Sequence, residues 1–114
     1  GSIVGVSSIA ADRPAKCQTN YAASKDAMNV ATQALAIELA EKGIRVNTVL
    51  PGMVITEMAK GVSNLGVSLE IIEKQQLLGA CTVDDIVSTI IFLLSDLSSK
   101  ITGRKFFVDG GRLL

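Results

Sequence analysis

Residues 20–52, which read NYAASKDAMNVATQALAIELAEKGIRVNTVLPG, join one long helix to one short strand. No proline or glycine interrupts the alanine-rich run from Asn20 to Lys42, and Gly43 stands where a helix is expected to end. The apolar residues 44–52 then predict a buried strand, which Pro51-Gly52 terminates. A helix that leads directly into such a strand is typical of α/β proteins.

The predicted helix carries apolar residues on two of its faces. One stripe consists of Met28, Ala31, Leu35 and Leu39, and the other consists of Ala27, Val30, Ala34 and Ile37. A helix on a protein surface needs only one apolar face. We therefore expect helix 20–42 to be buried on both sides, against its own sheet and against another helix or a second subunit.

Two further strands and a second helix are predicted on either side of this unit. Residues 2–8 and 101–111 each contain a short apolar strand, and residues 82–95 form a helix that begins with capping-box spacing between Thr82 and Asp85. The order of elements is therefore β-α-β-α-β. Strands separated by helical crossovers predict a parallel sheet with right-handed connections.

The composition excludes several classes of function. The 114 residues include 11 Lys and Arg and 11 Asp and Glu, so the zero net charge does not favour nucleic acid as a partner. Histidine is absent, and Cys17 and Cys81 are isolated, so no metal site is predicted. No apolar run reaches the roughly 18 residues that a membrane span needs, and no secretion signal is visible. These features predict a reduced, cytoplasmic protein.

Three features of the sequence fall at one edge of the predicted sheet. Ser7-Ser8 closes the first strand, Tyr21 and Lys25 begin the following helix, and Pro51-Gly52 leaves the second strand. Ligands of parallel α/β sheets bind beyond the carboxyl ends of the strands. Residues four apart share a helix face, and a lysine ammonium beside a phenol favours the phenolate. Such a pair can exchange a proton with a carbonyl or alcohol oxygen.

Taken together, these motifs resemble the C-terminal half of the short-chain dehydrogenase/reductases, from the first residue of the chain to the last. The family's Tyr-x-x-x-Lys motif appears at Tyr21 and Lys25, and its serine, thirteen residues before the tyrosine, appears as Ser8. Its Pro-Gly segment appears as Pro51–Thr56, and its closing Val-Asp-Gly-Gly appears at residues 108–111. Within the family, the chain looks most like the 3-oxoacyl-(acyl-carrier-protein) reductases of fatty-acid biosynthesis.

The resemblance implies a fold and a reaction. The fold would be three parallel strands of a Rossmann-like, doubly wound sheet, a single partial domain over residues 1–114 whose N-terminal half is absent. The reaction would be reduction of a ketone, such as a 3-oxoacyl thioester, with NADPH favoured over NADH. Tyr21 would protonate the carbonyl oxygen, Ser8 would steady that oxygen, and Lys25 would favour the phenolate of Tyr21.

The same resemblance implies roles in binding. Tyr21 and Lys25 would also contact the cofactor, and four residues of one segment would hold its nicotinamide carboxamide: Pro51, Gly52, Val54 and Thr56. Residues 59–81, which contain glycines and the small amphipathic helix SLEIIEKQQLL, would form a substrate lid. The protein would form a homodimer or homotetramer through helix 20–42, and an acyl carrier protein would contact Lys42.

The sequence also departs from the family pattern. The glycine-rich turn, the residues that select NADH or NADPH, and the catalytic asparagine of the preceding helix are not among these 114 residues. We therefore expect this chain alone to be inactive and to bind no dinucleotide tightly. Two alternatives stay open: another alcohol, sugar or steroid dehydrogenase of the same family, or a non-catalytic module that assembles through its apolar helix faces.

Overall fold

The strands form one parallel sheet, as the order of elements predicts. The computed structural model describes residues 1–57 and 68–114. In that part of the chain, strand β1 (Ser2–Val6) lies beside β2 (Arg45–Pro51), and β2 lies beside β3 (Lys105–Val108). Both pairs are parallel, and the register aligns Gly5 with Thr48 and Thr48 with Lys105. All three carboxyl ends therefore meet at one edge of the sheet.

Helices connect the strands. Helix α1 spans Thr19–Leu39 and tightens into a 3-10 turn over Ala40–Lys42, which Gly43 ends with a φ of 64°. A left-handed residue of this kind is the usual stop of a helix. Helix α2 spans Leu69–Lys74, and α3 spans Val83–Leu94. No described helix is long and apolar enough to cross a membrane.

The two ends of α3 are fixed by side chains. At its start, Thr82 and Asp85 form the predicted capping box, and the backbone and hydroxyl hydrogen bonds from Thr82 lower the pKa of Asp85. At its end, the guanidinium of Arg45 donates to the carbonyl oxygens of Leu93 and Ser95 at 2.8 and 2.9 Å. These bonds satisfy carbonyl groups that the helix itself leaves without partners.

The face of α1 that contacts the sheet differs from the prediction. Small and polar residues are buried there, namely Ala22, Asn29, Thr32 and Ala36, whereas both apolar stripes are exposed apart from the half-buried Leu39. The helix comes so close to the sheet that a Cβ added to Gly5 would lie 3.4 Å from Met28 Sδ and 3.6 Å from the Thr32 hydroxyl oxygen. Short side chains make up most of this contact; of the predicted stripes, Met28 lies over Gly5 and Leu39 is half-buried, so the expectation that a whole stripe lies against the sheet holds only at those residues.

The core lies between β2 and α3. Val49 and Leu93 are fully buried, and the nearly buried Ile86 and Cys81 belong to the same cluster. Apolar burial of this kind supplies most of the free energy that keeps α3 on the sheet.

We expect the Leu93→Ala substitution to lower the free energy of unfolding by about 2–5 kcal/mol, since it leaves a cavity at a fully buried position. Denaturant unfolding of the intact protein measures this loss. Leu114, with 97% of its surface exposed, is the matched control, and Leu114→Ala should change the unfolding midpoint little. Equal losses in the two variants would contradict the assignment of the core.

Candidate active site

Hydrogen bonds join the start of α1 to the end of β1. The Ser7 hydroxyl donates to the Lys25 carbonyl oxygen at 2.8 Å, and Lys25 Nζ donates to the Val6 carbonyl oxygen at 3.1 Å. The Ser7 N–H donates in turn to Val49 O at 2.8 Å, which ties the same turn to β2. The sequence-predicted pair on α1 is thus held directly at the carboxyl edge of the sheet.

Ser7 and Ser8 have different environments. Ser7 is buried and its hydroxyl is used by α1, whereas Ser8 is half-buried in an extended conformation at the start of a 3-10 turn, Ile9–Ala11. Ser8 Oγ accepts a hydrogen bond from the Ala10 N–H at 3.1 Å. That bond uses a lone pair of the oxygen and not the hydroxyl hydrogen. Ser8 can therefore still donate to an oxygen of a ligand.

An ion pair holds the turn that follows Ser8. Lys105 Nζ lies 2.7 Å from Asp12 Oδ1 and 2.8 Å from Asp12 Oδ2, and about a third of each side chain is exposed. The pair links the loop after β1 to the first residue of β3, across the width of the sheet. The ion pair therefore connects this loop to the rest of the sheet.

Tyr21 and Lys25 lie together on one face of the first turns of α1. Lys25 Nζ is 5.8 Å from the centre of the Tyr21 ring, within the range of a cation–π contact. Tyr21 remains 43% exposed, so a ligand can reach its hydroxyl. The hydrogen bond to Val6 O occupies one of the three donors of the ammonium.

The segment Pro51–Thr56 is held on both of its sides. The Gly52 N–H donates to Val108 O at 2.9 Å, the Cys81 N–H donates to Met53 O at 2.9 Å, and the Ile55 N–H donates to Cys81 O at 3.1 Å. A single parallel bridge pairs Val54 with Cys81. The backbone of residues 52–55, which leads into Thr56, is therefore fixed beside the ends of β2 and β3.

Glycine is required at position 52. A Cβ at this position would lie 2.8 Å from Asp109 Cα and within 2.5 Å of Gln76 Oε1. The Pro-Gly pair is thus more than a turn signal, because it lets the segment approach the end of β3 closely.

Sequence reasoning missed Gln76 and Cys81, both of which are buried against this segment. The amide of Gln76 bonds to the Met53 peptide group. Burial, and then the nearby carboxylates of Asp85 and Asp109, raise the pKa of the Cys81 thiol. Neither residue belongs to a recognisable motif, and a glutamine is ordinarily expected on the surface, so the sequence carried no signal for either role.

The predicted lid, residues 59–81, lies only partly within the described residues. Residues 58–67, which include its first part, lie outside the described residues. The amphipathic helix predicted over SLEIIEKQQLL is present but short, since α2 spans only Leu69–Lys74 and residues 75–80 form turns.

A cavity of about 400 Å³ lies at the carboxyl end of β3. Its lining includes Cys81, Asp85 and Asp109 but none of the residues predicted for catalysis. Within residues 1–57 and 68–114, no cluster of three or more His, Cys, Asp or Glu is placed to hold a metal ion.

Comparison with known proteins gives consistent matches along the chain. The family model described as enoyl-(acyl carrier protein) reductase matches residues 1–112. An L-xylulose reductase of Caenorhabditis elegans is 41% identical, over 97% of this chain and 45% of its own length. A 3-oxoacyl-(acyl-carrier-protein) reductase of Chlamydia muridarum is 40% identical, over 97% of this chain and 44% of its own length.

The chain is also similar to a solved structure. A short-chain type dehydrogenase/reductase from Mycobacterium ulcerans superposes with a TM-score of 0.86 at 33% identity, over 98% of this chain and 41% of that protein. The chain therefore spans about half the length of the curated relatives it matches.

Proposed function

Because the chain belongs to the short-chain dehydrogenase/reductase family, we propose that the intact protein reduces a ketone to an alcohol with NAD(P)H. The observation that carries this proposal is the placement of Lys25, which binds the end of β1 through Val6 O and lies 5.8 Å from the Tyr21 ring. An exposed phenol beside a fixed ammonium is suited to proton transfer with a carbonyl oxygen.

The described residues fit the nicotinamide end of such a cofactor. Gly52 leaves no room for a side chain between the segment and β3, so the backbone of residues 53–56 lies against the strand ends. Val54 and Thr56 would hold the carboxamide, Pro51 and Gly52 would set the course of that backbone, and Lys25 would donate to the ribose. When bound, the reduced nicotinamide supplies the hydride that adds to the carbonyl carbon.

The protein's own residues stabilise the substrate oxygen and supply its proton. The Ser8 hydroxyl donates a hydrogen bond to the substrate oxygen and so stabilises the negative charge that develops there. Tyr21 transfers its phenolic proton to that oxygen, which completes the alcohol and leaves a phenolate. The Lys25 ammonium stabilises the phenolate, and solvent can return the proton because Tyr21 is exposed.

We propose a 3-oxoacyl thioester as the substrate, with an acyl carrier protein as its carrier and Lys42 as a basic contact. The similarity to the Chlamydia muridarum protein supports this choice. A sugar ketone is the second candidate, because an L-xylulose reductase is equally similar. NADPH is the proposed cofactor in both cases.

This proposal can be tested with the intact protein and three substrates: a 3-oxoacyl thioester, a keto sugar and a small diketone. For each substrate, the absorbance of NADPH or NADH measures the rate at which the cofactor is oxidised. We expect NADPH oxidation with the thioester at a kcat/KM at least about tenfold above that with the sugar, a difference of about 1.4 kcal/mol. A preference for the sugar would assign the second candidate, and no oxidation with any ketone would contradict the proposed reaction.

The exposed face of α1 supports a further part of the proposal, a homo-oligomer formed through helix 20–42. Val30 and Ile37 expose 59% and 79% of their surface on a helix whose opposite face is already on the sheet. Contiguous apolar side chains on a helix are typical of an interface between subunits.

A further inference from the structure

Gln76 is a buried amide that bonds mainly to backbone groups, with the Cys81 thiol as a weak further partner. It lies between α2 and α3, and only 3% of its surface is exposed. Its Oε1 accepts a hydrogen bond from the Met53 N–H, and its Nε2 donates to Gly79 O at 2.8 Å and to Met53 O at 3.4 Å. Burial of an amide is costly unless such bonds are made, so these partners account for its position.

The surroundings of Gln76 are shaped to its side chain. A Cβ on Gly52 would lie 2.5 Å from Gln76 Oε1, and a Cβ on Gly110 would lie 3.2 Å from Gln76 Cβ. The turn that carries Gln76 is itself fixed, because the Gly79 N–H donates to Gln76 O at 2.9 Å and the Leu78 N–H donates to Gly110 O at 3.0 Å. The amide thus fills a slot between two glycines and cannot shift without breaking its bonds.

Met53 directly precedes the residues proposed to hold the nicotinamide. Both of its backbone polar groups are occupied: the N–H by Gln76, and the carbonyl oxygen by the Cys81 N–H at 2.9 Å and more weakly by Gln76. A displacement of Met53 would therefore move Val54 and Thr56 with it. Misplacement of a binding group by about 1 Å is enough to lose much of its contribution.

From these contacts we propose that Gln76 is a positioning residue for the nicotinamide pocket, acting through the Met53 peptide group. The inference rests on the proposed function, since it takes Val54 and Thr56 to be the groups that contact the carboxamide. Gln76 itself touches neither substrate nor cofactor in this account. It fixes the distance between the turn at Gly79 and the backbone that binds the nicotinamide.

The test compares two ligands of the intact protein by calorimetry. NADPH carries the nicotinamide, and 2′-phospho-ADP-ribose lacks it. We expect Gln76→Glu to weaken NADPH binding about tenfold while 2′-phospho-ADP-ribose binding changes less than twofold. A glutamate keeps an oxygen that can accept from Met53 N–H, but its carboxylate cannot donate to Gly79 O. Gln76→Leu can neither accept from Met53 N–H nor donate to Gly79 O. It should therefore weaken NADPH binding further, while 2′-phospho-ADP-ribose binding again changes little.

Gln75→Leu is the matched control, because Gln75 is an exposed neighbour of the same type. It should leave both affinities unchanged. Equal weakening of both ligands by Gln76→Glu, or no change in either, would overturn the positioning role. If Gln76→Leu does not fold, the two affinities of Gln76→Glu alone test the positioning role. Failure of the wild-type protein to bind NADPH would instead count against the proposed function, so the two failures are distinguishable.

Discussion

Replacement of Tyr21 by phenylalanine is expected to lower kcat for ketone reduction about 10³-fold, within the usual range for loss of a general acid. The substitution removes only the phenolic hydroxyl and leaves the ring beside Lys25 Nζ. The affinity for NADPH should change little, because the contacts proposed for the nicotinamide come mainly from Lys25 and the segment Pro51–Thr56. Steady-state kinetics and calorimetry with the intact protein measure the two effects separately.

Ser24→Ala is the control for the Tyr21 variant. Ser24 lies in the same turn of α1, and its exposed hydroxyl donates only to the Tyr21 carbonyl oxygen at 2.7 Å. Its removal should leave kcat within about threefold of the wild-type value. Turnover by Tyr21→Phe at a rate close to that of the wild type would show that another group supplies the proton.

Replacement of Lys25 by methionine is expected to lower kcat/KM about 10²-fold, because the phenolate of Tyr21 loses the charge that stabilises it. The variant also loses the hydrogen bond from Nζ to Val6 O, and the proposed contact with the ribose. A weaker NADPH affinity should therefore accompany the lower kcat, which distinguishes this variant from Tyr21→Phe. Kinetics as a function of both cofactor and ketone concentration separate these two losses.

Lys100→Met is the matched control for loss of one positive charge. Lys100 is exposed and lies in the turn between α3 and β3, away from the carboxyl edge of the sheet. It should retain the kinetics of the wild-type protein with a small ketone. If kcat/KM falls as much for Lys100→Met as for Lys25→Met, the loss is a general electrostatic effect, and the specific role of Lys25 is contradicted.

The sheet could be predicted from the sequence because its signals are strong and local. An uninterrupted alanine-rich helix, a glycine stop at Gly43 and a β-branched strand at residues 44–50 leave few alternatives to a parallel α/β unit. The capping box at Thr82 is equally local, and the structure confirms it. Such features depend on neighbours in the chain, so one sequence is enough to reveal them.

The contact face of α1 could not be predicted from hydropathy. Ala22, Ala36 and Thr32 lie against the sheet because short side chains allow a close approach, and these residues carry little hydrophobic signal. The larger apolar residues Val30 and Ile37 lie outward, where only a partner could cover them. Hydropathy measures the tendency of a side chain to be buried, whereas the distance between helix and sheet depends on the size of the side chains between them.

Some residues of the candidate site could be predicted from the sequence, and others could not. Tyr21 and Lys25 share a face because of their spacing, and the structure places them together. Ser8 was identified by its distance along the chain from Tyr21, but its separation from the buried Ser7 becomes visible only in three dimensions. The position of Gln76 could not be predicted, because apart from the Cys81 thiol its partners are backbone groups, which leave no pattern in the sequence.

The central claim is that the intact protein transfers hydride to a ketone whose oxygen is protonated at Tyr21. The most direct measurement uses NADPH in which both hydrogens at C4 of the nicotinamide are replaced by deuterium, with mass spectrometry of the alcohol that forms. The account predicts one deuterium on the former carbonyl carbon with the wild-type protein, and loss of nearly all labelled product with Tyr21→Phe. Absence of deuterium from the alcohol, or labelled alcohol formed equally fast by Tyr21→Phe, would contradict it.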